Sequence, residues 1–132
     1  MRQILIRDIM TPSEKVIRIS PYARVRELLS LMQTHNVKSV VVDRTSEHDA
    51  FGIVTYTSVL NAIFAEDGDM DLINVYDISA KPVICVNEEL DVRYAARLMV
   101  KYEINRLLVL EGNQLRGIVS INDIIKELMK DL

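Results

Sequence analysis

Gly117-Ile118-Val119-Ser120-Ile121-Asn122-Asp123 decides how this chain folds, because a stretch of the same kind stands earlier as Gly52-Ile53-Val54-Thr55-Tyr56-Thr57-Ser58. Each begins as an apolar, β-branched run and reaches a hydroxyl residue placed to open a helix. Outward from this pair the two halves continue to match. Val40-Val41-Val42 falls on Leu107-Leu108-Val109, Leu31-Met32 on Leu98-Met99, Val25-Arg26 on Val92-Arg93 and Val16-Ile17-Arg18-Ile19 on Val83-Ile84-Cys85-Val86, all at a shift of 67 residues. The shift is 65 at the Gly-Ile-Val stretches and 69 where Asp8-Ile9 meets Asp77-Ile78. A register that changes only where loops belong marks an internal duplication.

Each half repeats one order of local signals: a short strand, an amphipathic helix, two strands joined by a turn, and a closing amphipathic helix. Ser20-Pro21 and Asn87-Glu88-Glu89 read as helix starts, with a capping side chain, a proline tolerated at the first helical position, or carboxylates at the positive helix end. Val25, Leu28, Leu29 and Met32 fall at i, i+3, i+4 and i+7, as do Val92, Ala95, Ala96 and Met99, so each helix carries one apolar stripe. Ser39–Asp43 pairs with Phe51–Val54, and Arg106–Leu110 with Leu115–Val119. Glu111-Gly112-Asn113-Gln114 has the composition of a tight hairpin, whereas Arg44 to Asp49 is a longer polar loop. Closing helices are expected around Ser58–Ala65 and Asn122–Met129, with the acid-rich Glu66–Asp71 linking the halves. The reading is β-α-β-β-α twice, repeat 1 over residues 1–66 and repeat 2 over 67–132. A unit of about 60 residues buries too little by itself, so the two are expected to pack as one body of α+β (α/β-type) class.

Composition narrows the function classes. At 132 residues the chain suits one domain and leaves no room for a separate effector domain. Hydrophobic residues at 49% and charged residues at 27% supply a core and argue against disorder. Sixteen basic against nineteen acidic residues give a net charge of −3, with no general basic surface for nucleic acid or anionic lipid. The five tyrosines do not interleave with basic residues, so no base-stacking surface is expected. Cys85 is alone, which excludes an intrachain disulfide and suits a reducing cytoplasm. Charge interrupts the N-terminus before a signal peptide develops, and the longest uncharged run, Ala50 to Ala65, is shorter than the ~20 apolar residues a membrane span needs. The only histidines, His35 and His48, provide no nucleophile–base pair, and the four glycines are scattered rather than gathered in a phosphate loop. Glu66, Asp67, Asp69 and Asp71 lack the spacing of a calcium loop, so no metal site is expected.

Asp8-Ile9-Met10-Thr11, the doubled β-α-β-β-α order and the Gly-x-x-Ser-x-x-Asp pattern of Gly117, Ser120 and Asp123 together resemble a cystathionine β-synthase (CBS) domain pair, or Bateman module, over essentially the whole chain. The resemblance implies two repeats packed with pseudo-two-fold symmetry into one module. It implies regulation rather than catalysis: an adenosine-containing ligand (AMP, ADP, ATP or S-adenosylmethionine) binds in a cleft between the repeats, and no cofactor is required besides this regulatory ligand. It also implies a homodimer formed through closing helices that bear Leu60, Ile63, Ile124, Ile125, Leu128 and Met129. With no effector domain expected, the output would act in trans on a protein partner. The alternative is a ligand-independent dimerisation or interaction scaffold, since family members of that kind occur.

Ser120 and Asp123 have two readings. Ser-x-x-Asp at a helix start is close to a capping box, which needs no ligand. An ionised carboxylate can also accept both adjacent hydroxyls of a ribose, and a helix N-terminus favours a phosphate, so within the resemblance Asp123 is the ribose contact and Ser120 faces phosphate. Arg106, opening an apolar strand, is similar to the family's phosphate-facing basic residue. Lys38 is taken as its equivalent in the first repeat, and Asn105 stands where relatives often carry histidine. The resemblance places Met10, Thr11, Val16, Val37 and Ile118 around the adenine; for Val16, Val37 and Ile118 core packing is an equal reading. In the first repeat Thr55 keeps the hydroxyl but Ser58 replaces the acid, so that cleft is expected to be weaker.

Overall fold

Both glycine-led stretches run as strands straight into helices, and the elements around them follow the duplicated order. The computed structural model describes residues 2–81 and 84–132. In chain order the elements are α1 (Ile6–Ile9), β1 (Thr11–Pro12), a 3-10 turn (Ser13–Lys15), β2 (Arg18–Ile19), α2 (Val25–His35), β3 (Ser39–Val42), β4 (Gly52–Thr55), α3 (Tyr56–Leu60) with a π-helical turn (Asn61–Ala65), α4 (Val75–Ile78), β5 (Cys85–Val86), α5 (Val92–Tyr102), β6 (Arg106–Glu111), β7 (Gln114–Ser120) and α6 (Ile121–Met129).

Packing sorts these elements into two units that are not the two sequence halves. The terminal unit joins residues up to 16 with residues 84–132; the central unit runs from residue 17 through the described residues to 81. In the terminal unit the sheet order is β1-β7-β6-β5, with β5 parallel to β6 and the other pairs antiparallel. The central unit has the order β2-β3-β4, with β2 parallel to β3 and β3 antiparallel to β4. The repeats 1–66 and 67–132 divide the chain by internal similarity, while packing divides it within the two leading segments.

The leading segments explain the difference. Thr11 pairs with Ile118 on β7, and Ala80 makes the matching bridge to Ile53 on β4. Likewise Leu5 bridges Asp91 and Asn74 bridges Arg24. These contacts are equivalent under the duplication, so the segment that leads each repeat completes the sheet of the other. The 69-residue shift for Asp8-Ile9 and the 65-residue shift for the glycine stretches therefore belong to two surfaces that meet. The Asp8 and Asp77 carboxylates accept the Leu5 and Asn74 N–H groups at 3.0 and 3.1 Å, turning each leading segment into one helical turn before it pairs.

Each unit has its own apolar core. Leu107, Val109 and Val119 meet Val92, Ala95 and Met99 of α5 and Ile124 of α6 in the terminal unit; Val40, Val42 and Val54 meet Val25, Leu28 and Met32 of α2 in the central one. The i, i+3, i+4, i+7 stripes thus face the sheets as their spacing requires.

The first helices begin later than expected. Ser20 Oγ accepts the Tyr22 N–H at 3.1 Å, so Ser20-Pro21 closes a turn and α2 starts at Val25. Asn87 does the same for the Glu89 N–H at 2.9 Å, and α5 starts at Val92, capped by Asp91. Short side chains that bond their own backbone two residues on favour a turn over a helix start. The helix expected at Ser58 opens at Tyr56. The hairpin at Gly112-Asn113 is a two-residue turn, with Gly112 at φ 58°. Val83, first residue of an expected strand, lies outside the described residues; β5 contains Cys85 and Val86.

Candidate functional site

The residues singled out in the second repeat converge where β6, β7 and α6 meet. Arg106 and Ser120 are register partners at the end of the β6–β7 ladder, and Leu108 faces Ile118 two positions further in. Strand alternation puts Arg106, Leu108, Ile118 and Ser120 on one face of the sheet, because Leu107, Val109 and Val119 point to the helices on the other. Thr11, across from Ile118, joins the same face. The main chain turns into α6 directly beyond Ser120, and the Ile121 N–H donates to the Asn105 carbonyl at 2.8 Å, tying the start of β6 to the helix start.

Ser120 and Asp123 form a reciprocal capping box. The Asp123 Oδ2 accepts the Ser120 N–H at 2.8 Å, and Ser120 Oγ accepts the Asp123 N–H at 3.2 Å. The capping reading of this pair is therefore realised. It consumes one carboxylate oxygen and one lone pair of the hydroxyl, and Asp123 Oδ1 has no partner among the described residues. Capping and ligand contact are compatible at this side chain, since an ionised carboxylate has about four acceptor positions.

Arg106 is the feature that capping does not explain. Among the described residues it is the only arginine whose guanidinium makes no hydrogen bond, ion pair or ring stack. It is half-buried, on the face it shares with Ser120. A guanidinium held without a carboxylate beside a helix N-terminus suits a phosphate, whose oxygens match its fork of donors.

The remaining candidates sort by geometry. Met10 packs on the apolar core, against the α-carbon of Gly117, so its side chain is not on the Thr11 face. Val16 ends the 3-10 turn beside β7, half-buried. The Asn105 side chain is exposed. Val37, Lys38, Thr55 and Ser58 belong to the central unit, where Val37 packs against the core. Lys38 is not the equivalent of Arg106. Ser39 is the register partner of Thr55 as Arg106 is of Ser120, so Lys38, exposed and ahead of β3, holds the position of Asn105. The central face thus presents Ser39, Thr55 and Ser58 where the terminal face presents Arg106, Ser120 and Asp123. Thr55 makes no side-chain cap, and its Oγ1 lies 3.5 Å from Ser58 Oγ.

Leu108 was missed by the sequence reading, although alternation along Arg106–Leu108 would have placed it beneath the site; it is fully buried. Cys85, across from Leu108, carries a thiol whose pKa burial pushes up, so it is the protonated, weakly nucleophilic form at neutral pH. Among the described residues there is no cluster of three or more His, Cys, Asp or Glu to hold a metal, and no helix is long and apolar enough to cross a membrane.

A model of the CBS domain matches residues 6–65 and 75–130. An uncharacterized protein of Methanopyrus kandleri is 32% identical over 112 residues, covering 84% of this chain and 57% of that protein. The chain spans 57, 44 and 22% of the length of three curated relatives it matches. The solved hexameric CBS-CP12 protein from bloom-forming cyanobacteria is similar at 35% identity and a TM-score of 0.87, over 96% of this chain and 72% of that one. The CBS domain of a bacterial CNNM/CorC family Mg2+ transporter, solved in complex with ATP, is similar at 26% identity and a TM-score of 0.81, over 95% and 87%. The duplicated β-α-β-β-α order, the paired leading segments and these matches agree: the chain belongs to the CBS domain family and carries two CBS domains in tandem, a Bateman module.

Proposed function

We propose that this module is a non-catalytic sensor that binds one adenosine-containing nucleotide at the terminal face and passes the signal to a protein partner in trans. The observation that carries the reading is Arg106: an arginine paired with no carboxylate among the described residues, across from Ser120, which shares a capping box with Asp123. Asp123 takes the ribose hydroxyls, Ser120 and Arg106 face phosphate, and Thr11 and Ile118 supply the apolar wall for the base. The ATP complex of the transporter CBS domain supports the ligand class. Asp123 and Arg106 have no charged counterpart at Ser58 and Ser39, so one site of this kind is expected rather than two. Binding shifts the module only by the difference in its affinity for two arrangements.

A second reading, an interaction scaffold with no ligand, is favoured by the capping box, which gives Ser120 and Asp123 a structural duty of their own. In both readings the module is a homodimer, since α6 exposes Ile121, Ile125, Leu128 and Met129. Thermal unfolding with AMP, ADP, ATP and S-adenosylmethionine tests the choice. Saturation at ~100 times Kd adds about 2.7 kcal/mol and raises Tm by several degrees. A rise that disappears in Asp123→Ala supports the sensor; no rise with any of the four leaves the scaffold.

A further inference from the structure

A sensor that acts in trans needs a surface for its partner, and α5 carries one whose charge selects it. We propose that the outward face of α5 docks an acidic helix of a different protein, one with carboxylates four residues apart; as the partner of the sensor, that protein rests on the reading above.

Val92, Ala95 and Met99 bury one side of α5. On the other side Arg93, Arg97 and Lys101 recur at i, i+4 and i+8, all exposed, so three cations stand in a row about 6 Å apart along the helix axis. Val100, 77% exposed, lies along one edge of the row and Tyr94, 49% exposed, along the other. No acid lies within the helix. Asp91 holds Arg93 at 3.3 Å, but Arg97 and Lys101 have no carboxylate partner among the described residues, and Glu103, two residues past Lys101, makes no ion pair with it. Each sits over a tyrosine ring instead, Arg97 over Tyr94 and Lys101 over Tyr102, both 5.3 Å from the centroid.

The duplication supplies a control. In the first repeat α2 has the same length of 11 residues and buries the equivalent positions Val25, Leu28 and Met32. Its outward positions hold Arg26, Ser30 and Thr34 where α5 has Arg93, Arg97 and Lys101, with Glu27 in place of Tyr94 and Gln33 in place of Val100. Arg26 is neutralised by both oxygens of the Asp71 carboxylate. The helix thus packs on its sheet with a polar face of no net positive charge, and the fold does not require the cations or the exposed valine and tyrosine of α5.

Charge decides the occupant. A second copy presenting the same face would set like charge against like. A nucleic acid would meet only two unpaired cations on a chain of net charge −3, and each phosphate contact it lacks is a counterion not released. Tyr94 and Tyr102 do stand beside cations, against the expectation that no tyrosine interleaves with basic residues, but a cation already lies over each ring, where a base would stack. An acidic helix meets every feature of the face. Glutamates four residues apart repeat at the same spacing of about 6 Å, a guanidinium takes a carboxylate through two donors, and apolar side chains beside the glutamates cover Val100 and Tyr94.

Fluorescence anisotropy with the full chain tests the docking. The probe is a labelled alanine-based helical peptide with glutamate at every fourth position and leucine beside each along one face; the control peptide has the same composition with its glutamates spread around the helix. At low salt the probe is expected to bind about tenfold more tightly than the control, and to lose about three- to tenfold in Arg97→Ser with Lys101→Thr, which gives α5 the residues of α2. Equal affinity for the two peptides, or for the protein and this double variant, overturns the proposal, and so does tighter binding of an oligouridylate or of phosphatidylserine vesicles under the same conditions. Arg97→Glu with Lys101→Glu is expected to reverse the preference, taking a peptide with lysine in place of glutamate more tightly than the probe, a gain that a misfolded chain would not show; an unreversed preference overturns the proposal. All of these are read without nucleotide, so their failure leaves the nucleotide-induced rise in Tm as it stands, and a missing rise with the probe still bound removes the sensor reading while the α5 surface remains.

Discussion

The Thr11 carbonyl rests against the α-carbon of Gly117, so close that a β-carbon added there would stand 2.4 Å from the oxygen. This approach is what allows β1 to join the edge of β7. The equivalent Gly52 is looser, its added β-carbon meeting Ala80, Lys81 and Ser79 atoms at 3.3 Å.

Gly117→Ala is therefore expected to destabilise the protein by about 1–3 kcal/mol through overpacking against the backbone, and Gly52→Ala by clearly less. Urea unfolding of the two variants checks the order. Equal effects would mean that β1 retreats from Gly117 without cost.

Capping and ligand binding at the start of α6 are separable by substitution. Ser120→Ala removes the bond to the Asp123 N–H and is expected to cost about 1 kcal/mol while leaving the nucleotide-induced rise in Tm measurable. Asp123→Asn keeps the size of the side chain, loses its charge, and is expected to abolish that rise. If Ser120→Ala abolishes it as well, the hydroxyl is a ligand contact of equal weight.

Ser58→Asp places an acid at the third position of α3, where α6 has Asp123. A side-chain cap on a helix that now has none is expected to stabilise the protein by about 0.5–1 kcal/mol, read from urea unfolding. Adding Ser39→Arg supplies the missing cation, and the double variant is expected to bind a second equivalent of nucleotide by titration calorimetry. A stoichiometry still at one would show that the central face differs by more than these two charges.

Glu127 is buried with its carboxylate bonded to Lys130 at 2.8 Å and to Arg2 at 3.1 Å. The Lys130 ammonium, with Arg2 adding to it, holds this carboxyl below its ordinary range. The folded state then binds fewer protons than the unfolded one between the lowered value and the ordinary glutamate pKa of about 4.3. The stabilisation is full above that pH and is lost as pH falls through the folded value. In a Tm profile from about pH 2 to 7, the gap between the protein and Glu127→Gln is expected to be widest in the neutral range and to close in acid. A gap constant with pH would show that the side chain contributes by packing alone.

Arg26 and Asp71 show the same linkage at an exposed position. Their hydrogen bonds lower the Asp71 pKa and raise that of Arg26, but solvent screens the pair. Arg26→Gln is expected to change Tm little at neutral pH while freeing the Asp71 carboxylate of its partner. A large loss there would show that the bidentate pair anchors the Asp69–Ile73 turn to α2.

The duplicated order was legible because apolar spacing is a local property. A stripe at i, i+3, i+4 and i+7 must find an apolar surface wherever the chain goes, and Val25–Met32 and Val92–Met99 both did. Ser120 and Asp123 were legible for the same reason, since a capping box closes over three residues. Ser20 and Asn87 misled because a capping side chain looks alike in sequence whether it opens a helix or closes a turn, and only the following backbone distinguishes the two.

By itself the sequence determined the repeat, the class of the fold and the one acid, Asp123, that the first half lacks. Tertiary structure decided what those features share. The approach of Thr11 to Gly117 assigned residues up to 16 to the unit of the second repeat, and no local signal encodes a contact between positions more than a hundred residues apart. The isolation of Arg106 is of the same kind: a lone guanidinium is defined by the carboxylates that folding brings to every other arginine or withholds, and only the folded chain shows which.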